Sequence, residues 1–323
     1  MSADRAVLAP LEPGARVALV ATAGPIVPEL LARARALLET WGLVPVVLPS
    51  ATLGHPWATY LAGEDAVRAR DVQQAWCDPD VDAVFCIRGG YGSVRVLDLL
   101  DVEAMRAARP KPLLGSSDVT GLHEWIRENL GVPGWFTPML ATVSLLDDPG
   151  ATASLRDAVL GPARDLVLRR PETELLAHDP GAEGVQGRLL GGNLSLLAMT
   201  LGARGRPPID HRGCILLLED VGEETYRLDG FLQSILRAGV VDGVVGIALG
   251  GWHECGPLPE IRSLVLEVLA PLGVPILWEV GFGHGAGAPS VPLGVPGAIR
   301  GGAEPALVVR ARDYATTTAE EAS

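Results

Sequence analysis

Residues 16–49 read RVALVATAGPIVPELLARARALLETWGLVPVVLP, and this one stretch decides the fold class. RVALVAT is an unbroken apolar run of strand length. VPELLARARALLETWG spaces its apolar residues at three and four and closes on Gly42, and VPVVLP is apolar again. A strand, an amphipathic helix and a second strand in that order form a β-α-β unit, whose strands run parallel in a sheet covered on both faces. The pattern continues downstream. AVRARDVQQAWCD predicts a helix, VDAVFCIRGG (81–90) a strand ending in glycines, and KPLLGSSD (111–118) a strand running into a helix. Ligands of such sheets gather at the carboxyl ends of the strands, where these glycines and serines fall.

From 146 to 184 the alternation gives way to a stretch rich in Pro, Gly and charge. It reads as a link between domains, with room for one short helix and a strand. Order resumes with GRLLGGNLSLLAMTLG, the strand CILLLED, the helix RLDGFLQSILRAG, the strand VVGIALGG, the helix LPEIRSLVLEVLAPLG, the strand VPILWEV and the glycine-rich loop GFGHGAGAPSVPLG. The expected division is an N-terminal unit 1–147, a link 148–184 and a C-terminal unit 185–323. The tail ALVVRARDYATTTAEEAS begins as a strand and is expected to end as a frayed polar terminus.

Composition excludes several function classes. With 323 residues, 48% hydrophobic and 20% charged, the chain has the make-up of a globular protein, and two domains fit its length. A net charge of −13 with a single lysine, Lys111, leaves no basic surface to neutralise phosphates, so nucleic acid is not an expected partner. No apolar run approaches the roughly 20 residues of a membrane span and no export signal is visible, so a cytoplasmic protein without membrane contact is expected. Cys77, Cys86, Cys214 and Cys255 are scattered without a C-x-x-C pair, which points to buried thiols.

Three strand ends carry groups that could do chemistry. In LLGSSD a serine in the strand-to-helix turn can be held over the positive end of a helix, the logic of a nucleophile elbow. Val119 breaks the G-x-S-x-G form, and serines equally cap helices. Glu219 ends CILLLED and His284 lies just after VPILWEV; a serine nucleophile needs such a base and an acid to orient it, although each residue has a plain capping or loop role open to it. RGGYGS (88–93) lacks the acid that a dinucleotide fingerprint would place about 20 residues on. It is either a bare turn or half of an oxyanion hole whose other amide follows the nucleophile. WHEC (252–255) groups His253, Glu254 and Cys255 without the ligand spacing of a zinc site.

RGGYGSVRVLDLLD, KPLLGSSDVTGLH, GRLLGGNLSLLAMTLG, LLLEDVGEETYRLDGFLQSI and GFGHGAGAPSVPLG, in this order, resemble the LD-carboxypeptidases, serine peptidase family S66, over about residues 15 to 310. The resemblance implies a Rossmann-like N-terminal domain, a C-terminal swivelling β/β/α domain and a cleft between them. It implies Ser117 as nucleophile, Glu219 as acid and His284 as base, with the oxyanion amides at Asp118 and near Gly90. It also implies a homodimer, no metal and no organic cofactor. Arg88, Tyr91 and Arg227 are the expected substrate contacts; of the two arginines Arg88 is the weaker carboxylate reader, since it can brace the turn from below. FTPM (136–139) replaces the H-G-P-M-like segment of many members, which alters local substrate contacts. The implied reaction is release of terminal D-alanine from a murein tetrapeptide in cell-wall recycling. The alternatives are cleavage of a peptidyl or aminoacyl nucleotide toxin by the microcin-immunity branch, and non-catalytic binding of a small ligand.

Overall fold

A computed structural model describes residues 7–202 and 210–315. The first sheet takes β1 (Arg16–Val20), β2 (Val44–Val47), β3 (Ala83–Cys86), β4 (Leu113–Gly115) and β5 (Gly134–Phe136). Its parallel order is β5-β4-β3-β1-β2. Helices α1 (Pro28–Thr40), α2 (Asp65–Cys77), α3 (Val102–Ala107) and α4 (Thr120–Leu130) connect and cover it. Helix α1 shows the local logic: Pro28 starts it where no N–H is needed, and Leu31, Ala34 and Leu38 form its buried face.

Two short helices, α5 (Val143–Leu146) and α6 (Pro149–Leu160), precede a second sheet. Its strands are β6 (Leu166–Leu168), β7 (Glu174–Ala177), β8 (Val185–Asn193), β9 (Cys214–Val221), β10 (Gly246–His253) and β11 (Ile276–Trp278). After β12 (Val291–Leu293), β13 (Pro296–Arg300) and β14 (Ala306–Val309) complete it, in the order β6-β14-β13-β8-β9-β10-β11-β7. Strands β8 to β11 are parallel and the flanking pairs antiparallel. Helices α7 (Leu194–Met199), α8 (Thr225–Arg237) and α9 (Leu258–Leu269) follow β8, β9 and β10, and α10 (Ala311–Ala315) follows β14.

The period of two along β9 shows why this sheet is buried on both faces. Ile215 and Leu217 join the large core shared with the first sheet, whereas Leu216 and Leu218 join a second core under α8 and α9. The two-domain α/β class expected from the sequence is what the chain adopts.

Two segments depart from the sequence reading. Residues 148–184 hold the helix the sequence allowed, α6, whose Leu155 and Val159 pack into the shared core, and two strands rather than one, β6 and β7, at the outer edges of the second sheet. Short edge strands need few apolar residues, so the Pro- and charge-rich surroundings left the second one unseen. Inside the glycine-rich loop, β12 crosses back to pair antiparallel with β5 in the first sheet. The expected frayed terminus lies, beyond Ala315, outside the described residues.

Candidate active site

Strand β4 is fully buried and delivers Ser116 in an extended conformation and Ser117 at φ +56°. A non-glycine residue in this left-handed region costs roughly 1–3 kcal/mol, and the surroundings hold it there. The Gly115 carbonyl accepts from His123 Nε2 (2.9 Å) and from the Thr137 N–H (3.2 Å). The Ser116 N–H points at Met139 Sδ (3.1 Å). Burial pulls the His123 pKa down to about 4, so the ring is a neutral donor to the backbone before the turn. A 3-10 turn, Ser117–Val119, then runs into α4.

Asp118 stitches the RGGYGS turn to this elbow. Its carboxylate accepts the N–H groups of Gly92 (3.2 Å) and Ser93 (2.6 Å), while Ser93 Oγ donates to the Asp118 carbonyl. Burial raises the Asp118 pKa to about 6, and these N–H groups oppose the rise. Beneath the turn lies Arg68, fully buried, donating to the carbonyls of Gly92 (2.8 Å), Gly63 (3.2 Å) and Thr22 and paired with Asp65. Gly89 meets the serine directly: a Cβ there would stand 3.1 Å from Ser117 Cβ and 3.2 Å from its Oγ. A larger residue there would press on the serine, so glycine suits this close approach.

From the second sheet comes the acid. Glu219 is fully buried near the end of β9, and its Oε2 accepts from His284 Nδ1 at 2.7 Å. A carboxylate can only accept, so Nδ1 carries the proton and Nε2 keeps the lone pair. Burial lowers the His284 pKa, but the Glu219 charge and hydrogen bond outweigh it and raise it above the usual value. Asn193, the register partner of Glu219 on β8, donates from Nδ2 to Glu219 Oε1 (3.2 Å) and Asp220 Oδ1 (2.9 Å). Burial, and next the Glu219 charge, raise Asp220 to about 6. The Asn193 N–H donates to Thr120 Oγ1 (2.9 Å) at the start of the nucleophile-side helix, which ties the two sheets together at the site.

These groups open on one cavity of about 320 Å³, lined by Arg88, Gly89, Gly90, Ser117, Met139 and His284 among others. Ser117 Oγ makes no hydrogen bond among the described residues, so serine and imidazole face the same space without a hydrogen bond between them, as catalytic pairs often do before a substrate is enclosed. Arg88 lines the cavity with no hydrogen-bond or ion-pair partner among the described residues. Arg227 does not line it: on α8, half exposed, it pairs with Glu223 and stacks over Phe231. Of the two arginines, the structure brings Arg88 and not Arg227 to the cavity. Tyr91 is 40% exposed, against Tyr60, beside rather than in the cavity. His253 and Glu254 are exposed and Cys255 half-buried, and no group of three or more His, Cys, Asp or Glu among the described residues is placed to hold a metal.

Fold and site define the class first: a two-domain α/β protein with a strained serine at a strand-to-helix turn, facing a half-buried histidine that a fully buried glutamate holds. The chain belongs to the LD-carboxypeptidase family, whose N-terminal domain model matches residues 17–137 and whose C-terminal domain model matches residues 186–299. A Streptomyces coelicolor protein with a carboxypeptidase name is 48% identical over 88% of this chain and 90% of its own. The murein tetrapeptide carboxypeptidase of Pseudomonas aeruginosa is 33% identical over 88% of this chain and 93% of its own. An MccF-like protein from Bacillus anthracis shares the fold at a TM-score of 0.80 and 20% identity, over 94% of this chain and 98% of its own.

Sequence reasoning missed Asn193, whose signal was its place as an N-cap directly after the glycines of β8. It also missed Arg68, which nothing in an ordinary helical pattern distinguishes.

Proposed function

We propose that this family member is a serine carboxypeptidase that cleaves the L,D-peptide bond of murein tetrapeptides and releases terminal D-alanine. The observation that carries the reading is the Glu219–His284 hydrogen bond opening on the cavity that Ser117 lines. Ser117 Oγ attacks the scissile carbonyl as His284 Nε2 takes its proton. The imidazolium, steadied by Glu219, returns that proton to the departing amine of D-alanine. Water, activated by the same nitrogen, then hydrolyses the acyl-enzyme and restores Ser117. The amide of Asp118 and the 89–90 turn are the donors proposed for the oxyanion. No step calls on a metal or an organic cofactor.

The kinship with the murein tetrapeptide carboxypeptidase of P. aeruginosa supports this substrate class, and the unpaired Arg88 suits a ligand ending in a free carboxylate. A cytoplasmic homodimer acting in cell-wall recycling is part of the same proposal; no helix among the described residues is long and apolar enough to cross a membrane. The second reading is a hydrolase of peptidyl or aminoacyl nucleotides, and it draws only on the fold that this chain shares with the MccF-like protein. Incubation with a disaccharide tetrapeptide, read by mass spectrometry, decides between them. Free D-alanine is expected; its absence, with cleavage of an aminoacyl-sulfamoyl adenosine, would replace the first reading by the second. Light scattering on the purified protein tests the dimer.

A further inference from the structure

The loop that carries His284 leaves β11 in one sheet and enters β12 in the other, and Asp148, Arg170 and Thr173, between the two family-matched stretches, hydrogen-bond to its backbone. Arg170 crosses this loop at both ends. At the start its side chain lies over Gly281, where a Cβ would come within 2.3 Å of Nε and 2.9 Å of Cγ. At the far end its Nη2 donates to the carbonyls of Ala286 (3.0 Å) and Gly287 (2.8 Å). Asp148 holds the same end through the Gly287 N–H, which donates to Oδ2 at 2.6 Å, while Oδ1 caps α6. Arg170 is itself anchored: its N–H donates to Thr173 Oγ1 (2.7 Å), which donates to the Glu279 carbonyl (2.5 Å) at the exit of β11.

We infer that Arg170, assisted by Asp148, is a positioning residue that sets where His284 stands relative to Glu219 and Ser117. Strand β11 ends at Trp278, six residues before His284, and the loop from β11 to β12 carries four glycines, Gly281, Gly283, Gly285 and Gly287. Such a backbone has little stiffness of its own. A guanidinium reaching two successive carbonyls supplies what the loop lacks, and it does so with a fixed planar fork. The kinetic part of the inference rests on the proposed serine mechanism; the geometric part does not.

The test uses the full chain and two readouts. The His284 ring is titrated by NMR in wild type, Arg170→Ala and Arg170→Lys without substrate, and kcat and KM are measured on the tetrapeptide. Glu219 and Asp220 are the charged groups facing His284, and Asp148, Glu172 and Glu279 are those around Arg170. Losing the clamp lets the imidazole drift from Glu219, so its titration midpoint falls in Arg170→Ala. Its kcat drops about 10–100-fold, the scale of an ångström's misplacement, while KM changes little. Arg170→Lys, with one donor group on a flexible stem, lies between. Added guanidinium at millimolar concentration restores part of the Arg170→Ala activity and none to His284→Ala. An unchanged His284 midpoint in both Arg170 variants overturns the inference, whatever their activity. Wild-type protein that releases no D-alanine overturns the function proposed above, and the titration still decides the role of Arg170.

Discussion

Glu219 Oε2 and His284 Nδ1 stand 2.7 Å apart, the acid fully buried on a strand and the imidazole half-buried on a glycine-rich loop 65 residues later. In the proposed mechanism this pair sets the pH dependence. Catalysis needs His284 neutral at Nε2, and Glu219 raises its pKa above the ordinary 6.5, so kcat/KM falls as pH drops through a midpoint above that value. The linkage to stability has the opposite sense: the pair stabilises the fold fully below the unfolded pKa, and that contribution is lost as pH rises through the folded one. In Glu219→Gln the acid limb moves down and kcat falls about 10³–10⁴-fold. A pH–rate profile of both proteins with superimposable limbs would remove Glu219 from this role.

Ser117 is expected to carry the covalent step, and its backbone offers a second handle. Ser117→Ala abolishes turnover, whereas Ser116→Ala, altering the extended residue before it, costs little. Both alanine and serine are strained at φ +56°, but glycine is not. Ser117→Gly is therefore also inactive, yet more stable than Ser117→Ala by about 1 kcal/mol. Calorimetry on the two dead variants checks this; equal stability, or an inactive Ser116→Ala, contradicts the placement of the nucleophile.

If Ser117 and His284 act as one unit, their losses do not multiply. Ser117→Ala combined with His284→Ala is expected to be about as slow as the worse single variant. Single-turnover rates on the tetrapeptide measure it, and independent, multiplicative losses would point to another route.

Two glycines flank His284 and give a matched pair. At Gly283, with φ +116°, an added Cβ would lie 2.7 Å from Glu219 Oε2; at Gly285 it would meet nothing within 4 Å. Gly283→Ala is expected to push acid and base apart and lower kcat by about 100-fold, with Gly285→Ala near wild type. Comparable activity of the two variants would mean that the loop absorbs the methyl group and that the contact does not set the rate.

Much of this was legible in the chain. The β-α-β units announce themselves because strands buried on both faces must be continuously apolar, as RVALVAT and CILLLED are. LLGSSD reads as a strand-to-helix turn because turn chemistry is local, but the stretch alone leaves elbow and helix cap both open. What local pattern does not contain is the pairing of Glu219 with His284, which β9 and the loop after β11 bring together only once the sheet forms. The role of 148–173 was hidden for a related reason: Arg170 and Asp148 act on backbone groups of a distant loop, and such contacts leave no periodicity. The different surroundings of Arg88 and Arg227 were not legible either, because sequence shows neither the Glu223 partner that occupies Arg227 nor the open cavity beside Arg88.

Arg88 is the remaining cation with chemistry to explain. It lines the cavity with Ser117 and His284 and has no hydrogen-bond or ion-pair partner among the described residues, whereas the buried Arg68 just beneath is saturated with carbonyls and Asp65. A guanidinium left free on a cavity wall is suited to a planar anion, and a carboxypeptidase must read the carboxylate of the residue it releases. A tetrapeptide is therefore expected to be cleaved far faster than its C-terminal amide, because the amide leaves the arginine's charge unpaired. Arg88→Ala should erase most of that preference, lowering kcat/KM for the acid by about 10²-fold, the equivalent of a lost charge-assisted pair of 2–3 kcal/mol, and leaving the amide nearly unchanged. Arg227→Ala should leave both rates near wild type, since its partner is Glu223 and it stands off the cavity. Steady-state kinetics on the acid and the amide with the three proteins settle the matter: equal kcat/KM for the two substrates in wild type would rule out carboxylate recognition, and a preference lost in Arg227→Ala but kept in Arg88→Ala would hand the role to the other arginine.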